Sequence, residues 1–192
     1  MSEKTDAKKQ LIFDKALEVF DQKGYRTVTM SDIQEACQIS RGSLYSYFSS
    51  VEEIFAGLLE KVENTGAEQE FDWESDAVDL LLWFVKEMKL EILKKKNLLM
   101  AKIEYSFEKK CKEGKDEVFF QDFEKTSTIL ESILVKGNKS GEFDCQNPKA
   151  TATNMMYAFH GMRLTAAAYG ITEKQIDKQL VFMLGEFMDV EE

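Results

Sequence analysis

Proline and cysteine are scarce in this chain of 192 residues, which holds one proline and three cysteines. The single proline and the few β-branched runs favour an all-α fold. The cysteines are odd in number, far apart and without a Cys-x-x-Cys pair, which predicts a cytoplasmic protein with no metal site and no cofactor. No apolar run reaches about 18 residues, and the N-terminus lacks the apolar core of a signal peptide, so we expect no membrane span.

Residues suited to catalysis are also few. His160 is the only histidine, and a lone histidine cannot form a metal site. No serine or cysteine has an evident activating partner, and no phosphate-binding loop occurs. A helical enzyme is therefore the weakest interpretation, and we expect no catalytic residues.

Basic residues are outnumbered by acidic ones, and the formal net charge is −10. The excess is not spread evenly, because residues 1–50 hold seven basic and seven acidic side chains. The whole negative charge therefore falls on residues 51–192. An acidic remainder would repel DNA and favour one orientation of approach, with the neutral first quarter facing the duplex.

The stretch from residue 27 to residue 55 predicts two short helices joined by a tight turn. Thr29 can cap the first helix, in which Ile33 and Cys37 are four residues apart and share a face. Ser40 can cap the second, which opens with the short sequence 41–43, Arg-Gly-Ser. This pattern is typical of a helix-turn-helix, whose second helix enters the major groove of DNA.

A longer motif around these helices resembles the TetR family of bacterial transcription regulators. The resemblance covers roughly the first quarter of the chain, with the motif residues in their correct order and spacing. They are Ile12–Phe20, Lys23–Tyr25, Thr29, Asp32–Ile33, Ala36, Ile39–Tyr45, Tyr47–Phe48 and Glu52–Ile54. The resemblance implies a helix-turn-helix DNA-binding domain over residues 1–48, joined to a helical ligand-binding and dimerisation domain over residues 49–192, with about nine helices in all.

Seven residues are the candidate contacts to double-stranded operator DNA. Arg41 can hydrogen-bond a guanine edge or a phosphate, and the tyrosine hydroxyls can reach phosphate oxygens. Thr29 is a candidate phosphate contact through its hydroxyl and the helix N-terminus. Leu44 and Phe48 are expected to pack inward. The full set of candidate DNA contacts is Thr29, Arg41, Gly42, Ser43, Tyr45, Ser46 and Tyr47.

Three positions depart from the family pattern. Gln38 stands in the turn where family members usually have glycine, so a side chain with a β-carbon must occupy what is often a left-handed conformation. Ser49 and Val51 stand where lysines commonly touch phosphates. These departures and the neutral first quarter leave an alternative open, namely a helical ligand-binding or protein-interaction module that has lost DNA binding.

The remainder of the chain matches no motif and is interpreted through its composition and the resemblance. A seventh helix is expected to close at Gly137-Asn138, and a ninth to run from about residue 172 to 188. TetR-like proteins form homodimers through their last two helices, so Leu180 and Leu184 are expected at the interface. Packing of this surface within one subunit is the competing interpretation.

Aromatic and methionine side chains are frequent after residue 70, and some are expected to line an effector cavity. An ordinary role in the core competes with this interpretation at each position. The candidate ligand contacts are Trp83, Phe107, Phe123, Met156 and His160. The sequence thus predicts a repressor that binds a palindromic operator as a dimer and is released by a small, largely apolar effector.

Overall fold

The computed structural model describes residues 3–66, 72–94, 98–113 and 118–188. These residues form nine helices and no strand, which confirms the predicted all-α fold. The helices are α1 (Glu3–Lys23), α2 (Met30–Cys37), α3 (Arg41–Tyr45), α4 (Val51–Gly66), α5 (Ala77–Leu93), α6 (Leu99–Glu113), α7 (Val118–Ser140), α8 (Pro148–Tyr169) and α9 (Glu173–Leu184).

Contacts within the chain divide it into two compact units. The head unit contains α1–α4 together with α6, and the body unit contains α5, α7, α8 and α9. The head unit therefore draws on a segment that lies well beyond the helix-turn-helix in sequence. The predicted functional division after residue 48 stays a prediction.

The core of the head unit is built on one face of α1. Ile12, Ala16 and Phe20 recur every four residues and are fully buried or nearly so, as the helical period requires. Phe48 is 5 % exposed and its ring lies 5.3 Å from that of Phe13, which confirms its predicted inward packing. Burial of each large apolar side chain contributes about 1.5–3 kcal/mol and holds the helix-turn-helix against α1.

An aromatic cluster joins α6 to the rest of the head unit. The ring centroid of Tyr105 lies 5.0 Å from Tyr25 and 5.1 Å from Phe55. Burial, with a smaller effect from nearby carboxylates, raises the pKa of Tyr25 to about 12. At the edge of the cluster, Lys109 of α6 forms a 2.6 Å ion pair with Glu52 of α4.

In the body unit, α9 packs into the core along one face. Ile176, Leu180 and Leu184 recur every four residues, and Leu180 and Leu184 are each only 6 % exposed within the single subunit. The prediction that these two leucines form the dimer interface is therefore wrong. The amphipathic stripe of α9 packs on the subunit's own core, and Lys89 of α5 adds ion pairs to Glu173 and Asp177.

The predicted end of α7 at Gly137 is also wrong, because the helix runs on to Ser140. A β-carbon at position 137 would lie 2.0 Å from the ring of Phe143. Gly137 therefore permits the close approach of that ring. Gly141, with φ of 79°, follows the last helical residue and has the left-handed conformation that ends helices. The ninth helix likewise ends earlier than predicted, at Leu184.

Candidate functional site

The first helix of the helix-turn-helix begins with a reciprocal capping box. The Thr29 hydroxyl oxygen accepts the Asp32 amide N–H at 3.2 Å, and the Asp32 carboxylate accepts the Thr29 amide N–H at 2.8 Å. Lys23 donates to the same carboxylate at 2.6 Å. The hydrogen bonds from Lys23 and Thr29 lower the pKa of Asp32 to about 2. The predicted cap at Thr29 is confirmed.

The same capping box occupies the Thr29 amide and hydroxyl and the Asp32 amide at the N-terminus of α2. The Thr29 hydroxyl group donates its hydrogen to Asp32 at 2.7 Å. A hydroxyl has one hydrogen, so a phosphate can accept from Thr29 only in place of that carboxylate. The predicted phosphate contact at Thr29 stays a prediction and would require this exchange.

The turn between α2 and α3 contains the left-handed residue that the sequence indicated. Gln38 has φ of 53° and ψ of 42°, although it carries a β-carbon. Its amide N–H points back to the carbonyl oxygens of Gln34 and Glu35, which ends α2. Such a conformation costs a residue other than glycine roughly 1–2 kcal/mol.

Helix α3, the second helix of the helix-turn-helix, has five residues and is stabilised by contacts within the chain. The Ser40 hydroxyl oxygen accepts the Ser43 amide N–H at 3.2 Å, which confirms the predicted cap. Leu44 is fully buried and fastens the helix to the head core. Among residues 41–47, the exposed ones are Arg41, Gly42, Tyr45 and Ser46, whereas Ser43 and Tyr47 are half-buried.

Two features of the exposed face suit contact with a duplex. The Arg41 guanidinium lies 5.4 Å from the centre of the Tyr45 ring, a cation–π geometry that positions the cation. A β-carbon at Gly42 would meet no atom within 4 Å, so nothing in the chain requires glycine there. The small residue leaves room for an external surface to approach the backbone.

After α3 in the chain, the carboxylate of Glu53 caps the start of α4, its own helix. Glu53 accepts the amide N–H of Ser49 at 2.6 Å and the Ser49 hydroxyl at 2.7 Å. The Ser50 hydroxyl oxygen accepts the Glu53 amide N–H at 3.1 Å. The hydrogen bonds from Ser49 hold the pKa of Glu53 below its ordinary value. The amides of Ser49 and Glu53 are therefore satisfied without a phosphate.

The candidate ligand residues fall into both compact units. Trp83, Phe123, Met156 and His160 lie in the body unit, where Met156 belongs to the buried core and the rings of Phe123 and His160 are 5.5 Å apart. Phe107 lies on α6 in the head unit and is 61 % exposed. The contact between Phe123 and His160 therefore brings two of the five candidate residues together.

His160 sits against α7 in a largely desolvated position. Burial lowers its pKa, and the positive charge of Arg163 lowers it further, while Asp122 opposes both. The imidazole is therefore neutral at pH 7 and offers one hydrogen-bond donor and one acceptor. The ring of Tyr157 lies 5.1 Å from Phe123 and extends this aromatic group towards solvent.

An open groove of about 770 Å³ runs along α7 in the body unit. It contains none of the five candidate ligand residues, and its wall combines hydroxyls, two lysines and an indole. The residues that line it are Trp73, Thr128, Glu131, Ser132, Val135, Lys136, Lys139 and Ser140. Composition gave no signal for this groove, because its lining is ordinary for the surface of a helix.

Within residues 3–66, 72–94, 98–113 and 118–188, no group of three His, Cys, Asp or Glu side chains is placed to hold a metal ion. Over the same ranges, no helix has the length and apolar character needed to cross a membrane.

Comparison with known proteins extends the likeness from the helix-turn-helix to the whole fold. Residues 12–58 match the family model of bacterial regulatory proteins, tetR family. The uncharacterized HTH-type transcriptional regulator YfiR of Bacillus subtilis is 26% identical over 181 residues, which cover 90% of this chain and 85% of YfiR.

Solved structures share the fold at low sequence identity. A transcriptional regulator from Saccharomonospora viridis, solved in complex with choline, matches with a TM-score of 0.81 and 15% identity, over 95% of this chain and 98% of that one. The regulatory protein TetR from Rhodobacter sphaeroides matches with a TM-score of 0.75 and 18% identity, over 93% and 98% of the two chains.

Proposed function

We propose that this chain, which belongs to the TetR family of bacterial transcriptional regulators, is a ligand-responsive repressor. It is a DNA-binding regulator and not an enzyme. In the proposed mechanism a cytoplasmic homodimer binds a palindromic operator through two copies of α3, and a small, largely apolar effector in the body unit releases it. Effector and operator would then be coupled through their different affinities for two states of the dimer.

The observation that carries the proposal is the exposed face of α3. Leu44 anchors the helix from below, while Arg41, Gly42 and Tyr45 remain in solvent. The guanidinium is held over the Tyr45 ring, so little side-chain entropy is lost when it meets a base edge or a phosphate. A helix presented in this way fits the major groove.

Selection from a random duplex library with the purified protein tests operator binding. We expect a palindromic sequence to be enriched, with half-sites about one helical turn apart. Arg41→Ala should cost about 1–3 kcal/mol on that sequence if the side chain reads a base. Arg163→Ala, in the body unit, is the matched control and should leave affinity unchanged. Failure of the wild-type protein to enrich any sequence would refute operator binding.

A homodimer is supported by apolar side chains that remain exposed on the last two helices. Leu164 and Tyr157 lie seven residues apart on one face of α8, with Gly161 between them. On α9, Phe182 is 69 % exposed and Val181 stands beside it. Large apolar side chains that share an exposed helix face, as Tyr157 and Leu164 do, are typical of an association surface.

Sedimentation of Phe182→Glu tests that surface. Because a carboxylate would be desolvated without a partner in the dimer, we expect monomers at micromolar concentration. Leu82→Glu is the matched control, since Leu82 is half-exposed on α5, away from α8 and α9 in sequence. A wild-type protein that is monomeric, or a Phe182→Glu variant that remains dimeric, would count against the proposed interface.

The effector site is proposed around the aromatic group of α7 and α8. Phe123 supplies apolar surface, and neutral His160 can serve as a polar anchor. A compound that binds the folded state at 100 times its Kd adds about 2.7 kcal/mol of stability. Such a compound from an apolar library should raise Tm in wild type but not in Phe123→Ala, and should dissociate the selected DNA. DNA release that persists in Phe123→Ala would place the effector elsewhere.

A helical interaction module without DNA binding remains the second candidate. It is favoured by the carboxylates of Asp32 and Glu53, which occupy the N-termini of α2 and α4 beside the recognition helix. Its signature in the selection experiment would be a folded dimer that enriches no sequence and binds duplex DNA only at very low salt.

A further inference from the structure

We infer that Lys9 of α1 supplies a DNA-backbone contact beside the C-terminal end of the recognition helix, where the chain has Ser49 and Val51 in place of lysines. The inference deepens the proposed operator binding and rests on it. The group it would bind is a phosphodiester of duplex DNA, recognised by charge and without regard to base sequence.

The position of the Lys9 ammonium follows from its contact with Phe48. Its Nζ lies 5.8 Å from the centre of the Phe48 ring. Phe48 follows three residues after the last residue of α3 and is itself buried against Phe13. The cation–π contact therefore positions the Lys9 ammonium beside Phe48, while the Lys9 side chain stays half-exposed.

Several other cations of the head unit form ion pairs with carboxylates. Lys23 donates to Asp32, the third residue of α2 and part of its capping box, and this carboxylate partly neutralises its charge. No carboxylate of the described residues lies within 4.0 Å of the Lys9 or Arg41 cations. Further ion pairs of head-unit lysines are Lys15–Glu18, Lys61–Asp14, Lys109–Glu52 and Lys112–Glu108.

Two donors near Lys9 are already engaged by a carboxylate, because Glu53 accepts the amide and hydroxyl hydrogens of Ser49. The charge of Lys9 helps to lower the pKa of Glu53, after the larger effect of Ser49, which agrees with a position of the ammonium near the start of α4. A phosphate approaching this point would meet the Lys9 ammonium.

Lys9 and Arg41 are both positioned by aromatic rings of residues 41–48. Arg41 lies over Tyr45 and Lys9 lies over Phe48. A helix in the major groove has sugar-phosphate backbone on both sides, so the two cations can meet different phosphates. The arrangement compensates for the absent lysines with a residue from the first helix.

Fluorescence anisotropy on a duplex of random sequence and on the selected operator tests the inference over a series of salt concentrations. Each phosphate contact contributes about 0.9 to the slope of log affinity against log salt. Lys9→Gln should therefore reduce the slope by about 0.9 per subunit on both duplexes. At 0.1 M salt this corresponds to about an eightfold loss of affinity per subunit.

Two variants make the result specific. Lys9→Arg keeps the positive charge and the cation–π contact with Phe48, so it should retain the wild-type slope. Lys61→Gln makes the same charge change at a lysine that also lies over an aromatic ring, that of Phe13. Because Lys61 is paired with Asp14, this variant should leave the slope unchanged. Thermal melts of all three variants check that the fold is intact.

The outcomes separate the inference from the proposed function. A wild-type slope in folded Lys9→Gln, with binding still weakened by Arg41→Ala, would overturn the Lys9 contact and leave operator binding standing. A uniform loss of slope in both Lys9→Gln and Lys61→Gln would show a general charge effect and would also overturn it. Absence of wild-type binding would remove the proposed function itself.

Discussion

The carboxylate of Glu104 on α6 binds the backbone of the turn after α1, and its removal gives a quantitative prediction. The amide N–H groups of Tyr25 and Arg26 both donate to the same oxygen, Oε2, at 2.7 and 2.9 Å. Tyr25 is buried, whereas Arg26 is exposed. In Glu104→Ala the Tyr25 amide loses its acceptor inside the protein, while the Arg26 amide can turn to water.

The expected cost follows from this difference between the two amides. A buried donor left without a partner costs about 1–3 kcal/mol, and an exposed one costs little. We therefore expect Glu104→Ala to lower the free energy of unfolding by about 2 kcal/mol. Because both donors meet one oxygen, the amide oxygen of Glu104→Gln can accept both, and only the charge assistance is lost. That variant should cost about 1 kcal/mol or less.

Urea unfolding followed by circular dichroism measures the free energies, and hydrogen exchange of a peptide spanning residues 21–30 localises the change. Amides in that peptide should exchange faster in Glu104→Ala than in wild type. Glu108→Gln, one turn further along α6, loses only a pair with Lys112 of the same helix and should cost no more than about 0.5 kcal/mol. Equal destabilisation by Ala and Gln at position 104 would refute the reasoning.

Three further changes test local features of the two units. Gln38→Gly should raise the free energy of unfolding by about 0.5 kcal/mol in urea, because roughly 1–2 kcal/mol of left-handed strain is relieved and about 0.4–1 kcal/mol of chain entropy opposes it; a loss of stability would contradict this. The Asp32 carboxylate has its pKa lowered from 3.8 to about 2, so its contribution is present above 3.8 and is lost as pH falls towards 2. Asp32→Asn should flatten the fall in Tm over that window, and an unchanged pH profile would disprove the assignment. Gly137→Ala should lower stability by about 1–3 kcal/mol, since its methyl group would overlap the Phe143 ring, and a gain typical of glycine replacement in a helix would show the ring to be free to move.

Local chemistry made the helix-turn-helix predictable from sequence. Thr29 and Ser40 were identifiable as caps because a capping side chain bonds an amide only two or three residues ahead. Gln38 was expected to be left-handed from the turn in which it stands, and it has φ of 53°. Each of these features is decided within a few residues, so the short-range pattern contains the necessary information.

Contacts between distant segments were not predictable in the same way. Nothing in the sequence of α6 indicates that Glu104 binds the backbone of Tyr25, because the partners meet only after the chain has folded. The same reason explains Gly137, whose neighbours in sequence suggested a helix end while its neighbour in space is Phe143. For Leu180, periodicity showed a buried face but did not show that the subunit itself buries it.

The ligand prediction had a further weakness, because composition does not distinguish a cavity wall from a core. Met156 and Phe107 are candidates by the same criterion, their side-chain type. Met156 belongs to the buried core of the body unit, whereas Phe107 is largely exposed on α6. The rings of Phe123 and His160, in contrast, lie 5.5 Å apart. Side-chain type sets which ligands a residue could bind, and the packing of the helices sets whether it meets one.

The capping carboxylates that stabilise the head unit also limit how tightly it can hold a phosphate backbone. Asp32 and Glu53 satisfy amide donors at the starts of α2 and α4, and Asp32 in addition neutralises Lys23. Each such bond favours the folded helix-turn-helix and removes a group that could otherwise bind DNA. If the chain binds an operator as proposed, affinity must then come from the remaining cations and from base contacts made by α3. We therefore expect weak non-specific binding, with discrimination between sites resting on the proposed base reading by Arg41.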